Sequence, residues 1–191
     1  MENKLNREIE KALDVLKKGG TILYPTDTIW GIGCDATNVK AVEKVYKIKQ
    51  RPDSKSLITL VSDTDQLQEY VQNIPPTVFD LIEQSEKPIT IIYPKGKGLA
   101  SNVIAEDGSV GIRIVNHPFC QKLIRVLGNP IVSTSANISG TPSPIYFRAI
   151  SQEIRNSVDY VVEIDQELIE EIKPSRIIKL EENGLFTIIR E

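Results

Sequence analysis

The chain has 191 residues, 40% of them apolar and 26% charged, with a net charge of −3. That length suits one compact unit able to bury roughly 70% of its unfolded surface, and we expect a single domain over residues 1–191. No run approaches the ~18 apolar residues of a membrane-crossing helix, and an acidic total excludes a nucleic-acid binder that works through bulk positive charge.

The N-terminus, MENKLNREIEKAL, alternates charge where a secretory signal would carry an apolar core. A cytoplasmic protein is expected. Cys34 and Cys120 lack the spacing of a zinc or redox pair and His117 is the single histidine, so no protein-bound metal is expected and both thiols read as small buried apolar groups. The first helix is expected from Asn6, with Ile9, Leu13 and Leu16 on one face and Gly19-Gly20 as its stop. TILY (21–24) reads as a short strand. Asn38 caps a second helix through Ala41, Val42, Val45, Tyr46 and Ile48, closed by Pro52.

SLITLV (56–61) reads as a buried strand, followed by a short helix from Asp63 or Thr64 and another over about 76–84. PITIIY (88–93) and SVGIRIV (109–115) read as strands flanking an irregular stretch, 94–108, long enough to be a lid. His117-Pro118 opens a helix that Gly128 stops; PIVS (130–133) is a strand and 144–154 a helix. VDYVVEI (158–164), SRIIKL (175–180) and LFTIIR (185–190) are extended. Interleaved strands and helices predict an α/β fold: one twisted mixed sheet, mostly parallel, flanked by helices.

Three stretches carry chemistry. YPTDTIWGIGCD (24–35) ends a strand in hydroxyls and glycines, where α/β folds bind ligands, although it also reads as a self-bonded turn. Lys49, Arg51 and Lys55 gather cations at a helix end, where they also suit its dipole; Lys40, Lys44, Lys47 and Arg51 form a basic stripe. STSANISG (133–140), leading to Ser143, places hydroxyls and an amide at a strand end, donors suited to phosphate or carboxylate. Neither GxxxxGK[ST] nor GxGxxG after a strand is present.

Taken in order, YPTDTIWGIG, KQRPDSKSL, GSVGIRI with His117-Pro118, PIVSTSANISG and Pro174-Ser175 resemble the YrdC/Sua5/YciO family over roughly residues 8–190. The resemblance implies a YrdC-like sheet around a positively charged cavity, of the short single-domain type. It further implies L-threonylcarbamoyladenylate synthesis from L-threonine, bicarbonate and ATP, serving tRNA N6-threonylcarbamoyladenosine, with Mg2+ carried on the ATP phosphates.

By that resemblance Lys49 and Arg51 are catalytic, facing bicarbonate and the phosphates. Thr28, Arg113, Ser133 and Ser175 contact threonine, and Arg51, Lys55, Ser109, Ser135, Asn137, Ser143 and Arg190 contact the nucleotide. The chain departs from the family pattern at Trp30, usually tyrosine, and at Arg176, where a threonine usually follows the serine. The implied partners also include the transferase that consumes the product, and not a membrane. Two rival readings are an RNA-binding module, for tRNA or double-stranded RNA, and a paralogue with another acceptor.

Overall fold

The computed structural model describes residues 2–50, 57–168 and 174–191. Helix α1 (Glu2–Lys17) starts ahead of the expected Asn6 cap and buries Ile9, Ala12 and Leu16. Strands β1 (Ile22–Tyr24) and β2 (Gly31–Gly33) follow, the second within the stretch expected to be turn. Gly-Ile-Gly shows no strand pattern, yet only glycine fits at its end: a Cβ on Gly33 would stand 2.2 Å from the Val132 carbonyl.

Helix α2 (Val39–Lys49) is capped as expected, the Asn38 side chain accepting from Ala41 N at 3.1 Å. It ends at Gln50, in the left-handed region with φ 48°; the expected Pro52 stop lies outside the described residues. Strand β3 (Ile58–Val61), α3 (Thr64–Tyr70), α4 (Pro76–Glu83), β4 (Ile89–Tyr93), β5 (Val110–Ile114), α5 (Pro118–Leu127) and β6 (Ile131–Ser135) come next. The helix expected over 144–154 is instead a 3-10 turn (Phe147–Ala149) and then α6 (Gln152–Ser157), because Ser151 caps a fresh start by accepting from Ile154 N at 3.3 Å. Strands β7 (Tyr160–Val161), β8 (Arg176–Leu180) and β9 (Phe186–Arg190) complete the order.

The nine strands form one sheet ordered β7-β1-β2-β6-β3-β5-β4-β8-β9. The α/β class and the mixed sheet stand, but parallel pairing does not dominate. β1–β7, β3–β5 and β4–β8 are parallel, whereas β1–β2, β2–β6, β3–β6, β4–β5 and β8–β9 are antiparallel. Links as short as 25–30 and 181–185 can only return a strand antiparallel, since a parallel crossover needs about a dozen residues. Side chains alternate between two cores: α1 and α5 cover Ile22, Tyr24, Leu60 and Ile131, while α2, α3 and α4 cover Leu23, Val61, Ile91, Ile112 and Val132.

The expected lid over 94–108 is stitched to the body. Lys97 N donates to Tyr70 O and Ala100 N to Ala36 O, both at 2.9 Å. Tyr46 Oη donates to Asn102 O at 3.0 Å, and Val103 is fully buried.

Glu8 ties α1 to the strand end beyond β7. Its carboxylate accepts from Tyr160 Oη at 2.5 Å, Glu163 N at 2.8 Å and Lys11 Nζ at 3.0 Å. Burial alone would raise its pKa, but these donors more than offset that and hold it below the ordinary 4.5. A depressed carboxyl stabilises the fold above its unfolded pKa and loses that contribution as pH falls through the folded value. Glu8→Gln should therefore lower the urea midpoint at neutral pH and flatten its decline below pH 4.5. Gly33→Ala should destabilise by about 3 kcal/mol through overpacking. Gly111→Ala, whose Cβ would meet nothing nearer than 3.8 Å, should stay within about 1 kcal/mol of the unsubstituted protein in the same denaturation experiment.

Candidate active site

The sheet face that α1 and α5 cover at one end stays open at the other. There the strands present Gly31, Ile58, Arg113 and Ser133, which share that face by register. Small side chains leave a cavity of about 240 Å3, lined by Thr28, Trp30, Arg113, Ser133, Ser135, Ser143, Ser175 and Arg190 among others. Gly31 is required here, since a Cβ would come within 2.9 Å of Ser133 Oγ. A second cavity of about 640 Å3 is floored by Ile91, Ile112 and Ile114 of the opposite face, and Thr28 and Trp30 border both.

Arg113 dominates the smaller cavity. It is 4% exposed, and its Nη1 donates to Asp27 Oδ1 at 2.6 Å. Asp27 Oδ2 accepts in turn from Asn116 N at 3.0 Å. Nε of Arg113 is buried with no partner among the described residues, a state that costs about 1–3 kcal/mol until something accepts from it. Across the cavity, Arg190 donates to Ser175 O from Nη2 at 2.6 Å and from Nε at 3.1 Å. Burial and then the Arg113 charge lower the pKa of Arg190, so two repelling guanidinium groups face a space that an anion would relieve.

The hydroxyls are held in defined states. Thr26 Oγ1 donates to Ile29 O at 2.9 Å and lies 3.0 Å from both Thr28 N and Thr28 Oγ1. Its one proton being used, Thr28 is the donor to it, which leaves the Thr28 lone pairs as acceptors at the cavity wall. Ser175, 4% exposed, shares a 2.8 Å bond with Thr90 Oγ1.

Lys49 is 2% exposed and lines neither cavity. Its ammonium donates to Ser135 O at 2.6 Å and also to the Asn137 carbonyl and Asn137 Oδ1, with Ser135 Oγ at 3.3 Å. Asn137 Nδ2 donates onward to Thr141 O at 2.6 Å, so this lysine and amide brace the turn that carries Ser135. Ser109 stands just ahead of β5, its N donating to Asp107 Oδ1 at 2.9 Å, and lines neither cavity. Arg51 and Lys55 lie outside the described residues. Arg176 lines neither cavity and pairs with Glu191 at 2.7 Å, so that departure points away from the site. Trp30 does border it, its ring 4.8 Å from that of Phe147.

Asp27 was not singled out from the sequence; its partner is 86 residues away and no local pattern marks the pair. Among the described residues no group of three or more His, Cys, Asp or Glu could hold a metal ion, and no helix is long and apolar enough to cross a membrane.

A mixed sheet flanked by helices, with guanidinium groups and hydroxyls lining a cavity on its open face, defines the class as α/β. The profile of the Sua5_yciO_yrdC family, described as "Telomere recombination", matches residues 14–191, and the chain belongs to that family. A putative threonylcarbamoyl-AMP synthase of Methanocaldococcus jannaschii is 37% identical over 187 residues, 95% of this chain and 86% of the relative. The threonylcarbamoyl-AMP synthase of Vibrio cholerae is 34% identical over 162 residues, 83% of this chain and 86% of that protein. Among solved structures, P. abyssi Sua5 complexed with L-threonine superposes with a TM-score of 0.81 at 25% identity, covering 93% of this chain and 52% of the other. E. coli YciO gives a TM-score of 0.83 at 26% identity, covering 97% and 89%. The chain thus spans about half the length of the P. abyssi Sua5 chain.

Lys49→Met keeps the apolar stem but strips a donor from two carbonyls. It should cost about 2–3 kcal/mol in chemical denaturation and speed hydrogen exchange at the Ser139 and Thr141 amides.

Proposed function

We propose that this chain is a threonylcarbamoyl-AMP synthase, making threonylcarbamoyl-AMP and pyrophosphate from L-threonine, bicarbonate and ATP for tRNA N6-threonylcarbamoyladenosine modification in the cytoplasm. The observation that carries the reading is the buried guanidinium of Arg113, whose Nε has no partner among the described residues, lining a hydroxyl-rich cavity together with Arg190. A carboxylate satisfies a guanidinium in two-pronged fashion, which a lone hydroxyl or carbonyl does not. Threonine binding by P. abyssi Sua5, a solved structure of the same fold, supports the choice of amino acid.

In this reading Arg113 takes the threonine carboxylate, and Thr28, Ser133 and Ser175 surround the amino acid. Ser135, Asn137, Ser143 and Arg190 line the path of the nucleotide, with Ser109, Arg51 and Lys55 extending it. The neutral threonine amine adds to CO2 with loss of a proton, or to bicarbonate with loss of water, giving a carbamate; its oxygen then attacks the α-phosphate of ATP as the bond from that phosphorus to pyrophosphate breaks. Magnesium held on the ATP phosphates would neutralise charge there, and the protein supplies no nucleophile. Lys49 acts from beneath the Ser135 turn, where a phosphate oxygen can take the place of Ser135 Oγ, which lies 3.3 Å from the ammonium. Catalysis then rests on holding three anionic reactants in line against their repulsion.

A paralogue with another acceptor is the reading to separate, because Trp30 borders the cavity and YciO superposes as closely as Sua5. Pyrophosphate release should be measured with ATP, magnesium, bicarbonate and threonine, each omitted in turn, and with serine or alanine in place of threonine. Release requiring both threonine and bicarbonate is expected. Release indifferent to threonine would favour the paralogue, and none, with salt-sensitive RNA binding instead, would favour a binding module. Arg113→Ala should raise the KM for threonine about 100-fold with a far smaller change in that for ATP.

A further inference from the structure

We infer that Asp27 is a positioning residue for the amino-acid carboxylate, acting through Arg113, and so sets the site's preference for acceptors that carry a carboxylate. The inference rests on the functional reading above and deepens it. Arg113 is 4% exposed and Asp27 9% at the side chain, so solvent screens neither, and a guanidinium stays charged at any working pH. Left to itself, such a group would turn to whichever carbonyl it could reach. Asp27 prevents that by taking Nη1 at 2.6 Å.

The carboxylate is itself fixed from two sides. Its second oxygen accepts from Asn116 N, on the segment leaving β5, at 3.0 Å. The Thr26 and Thr28 bonds fix the backbone on either side of it. Asp27 therefore links the 25–30 connection to the strand that carries Arg113, and it occupies one edge of the guanidinium while Nε is left unpartnered. Arg113 lines the smaller cavity, so the donors that Asp27 leaves unused are the ones we assign to an incoming carboxylate. The geometry is that of a second carboxylate orienting a binding group, as outer ligands orient metal-bound histidines, where such partners are commonly worth 10–100-fold in affinity.

Charge tunes the same contact. After burial, the Arg113 charge weighs against the charged form of Arg190, and Asp27 pairs with Arg113 from outside the cavity. Removing Asp27's charge leaves Arg113 buried without its counter-ion, free to rotate Nε away from the acceptor.

The test is Asp27→Asn in the full-length protein, which keeps size and an oxygen for Asn116 N. Pyrophosphate release is measured with L-threonine and with L-threoninamide, which lacks the anionic carboxylate. The KM for threonine should rise about 10- to 100-fold while that for ATP stays within about 2-fold, and the preference for threonine over the amide should shrink by about 10-fold or more. The preference ratio is unaffected by any fraction of unfolded protein. In an Arg113→Ala background Asp27→Asn should add nothing to the threonine KM. An unchanged ratio, equal rises in both KM values, or an undiminished further rise in the Arg113→Ala background would overturn the inference. Unsubstituted protein that releases pyrophosphate without threonine would instead fail the functional reading itself.

Discussion

A guanidinium buried at the strand ends constrains much of the structure around it. Arg113 cannot shed its charge, so the fold must bring a carboxylate to it and leave room for another. Asp27 comes from the tight 25–30 connection, and that connection reaches β5 because β1 and β2 pair back at once through Gly31 and Gly33. Bulkier residues there would strike Ser133, Tyr24 and the Val132 carbonyl. The glycines usually explained as turn-formers in such a stretch therefore also let the Tyr24 ring and β6 pack closely beneath the site.

The two faces of the sheet are filled by different means. On one, α2, α3 and α4 seat a continuous apolar cluster around Ile91, Ile112 and Val132. On the other, α1 and α5 cover only part of the surface, and the cavity lies over Gly31 and Ser133, residues too small to fill the space above them. Local side-chain volume, rather than a gap in the helix layer alone, makes the cavity. A chain with net charge −3 can hold cations there because the sheet gathers Arg113 and Arg190 from positions far apart, and each is tied to oxygen atoms of the fold.

Much of this was legible in the residue order. Caps and stops governed by local chemistry, Asn38, Asp63, Gly128, fell where spacing put them, because a side chain and the amide it accepts from lie within one turn. The hydroxyl-rich segments at 24–35 and 133–143 both line one cavity. What eluded the sequence depends on distant partners. β2 is a strand because β1 and β6 flank it; the predominance of antiparallel pairs follows from short links and from β6 inserting between β2 and β3. The 94–108 stretch looked free because its anchors, Tyr46, Tyr70 and Ala36, lie outside it.

The departures from the family pattern carry different weight once placed. Position 176 alternates away from Ser175 along β8, and its arginine is spent on Glu191, so it cannot alter what the cavity accepts. Trp30 sits in the wall and is braced by Phe147, over which Arg155 lies at 4.7 Å from the ring centroid. The Trp30 ring, tilted 48° against Phe147, is larger than a tyrosine ring and adds no hydroxyl, whereas Arg113, Arg190, Ser133 and Ser175 line the same cavity. In the proposed reading, selection for a carboxylate falls to the buried Asp27–Arg113 pair, and selection among side chains of the acceptor falls to Trp30 and the hydroxyls around it, so that anion chemistry and acceptor identity rest on different neighbouring residues.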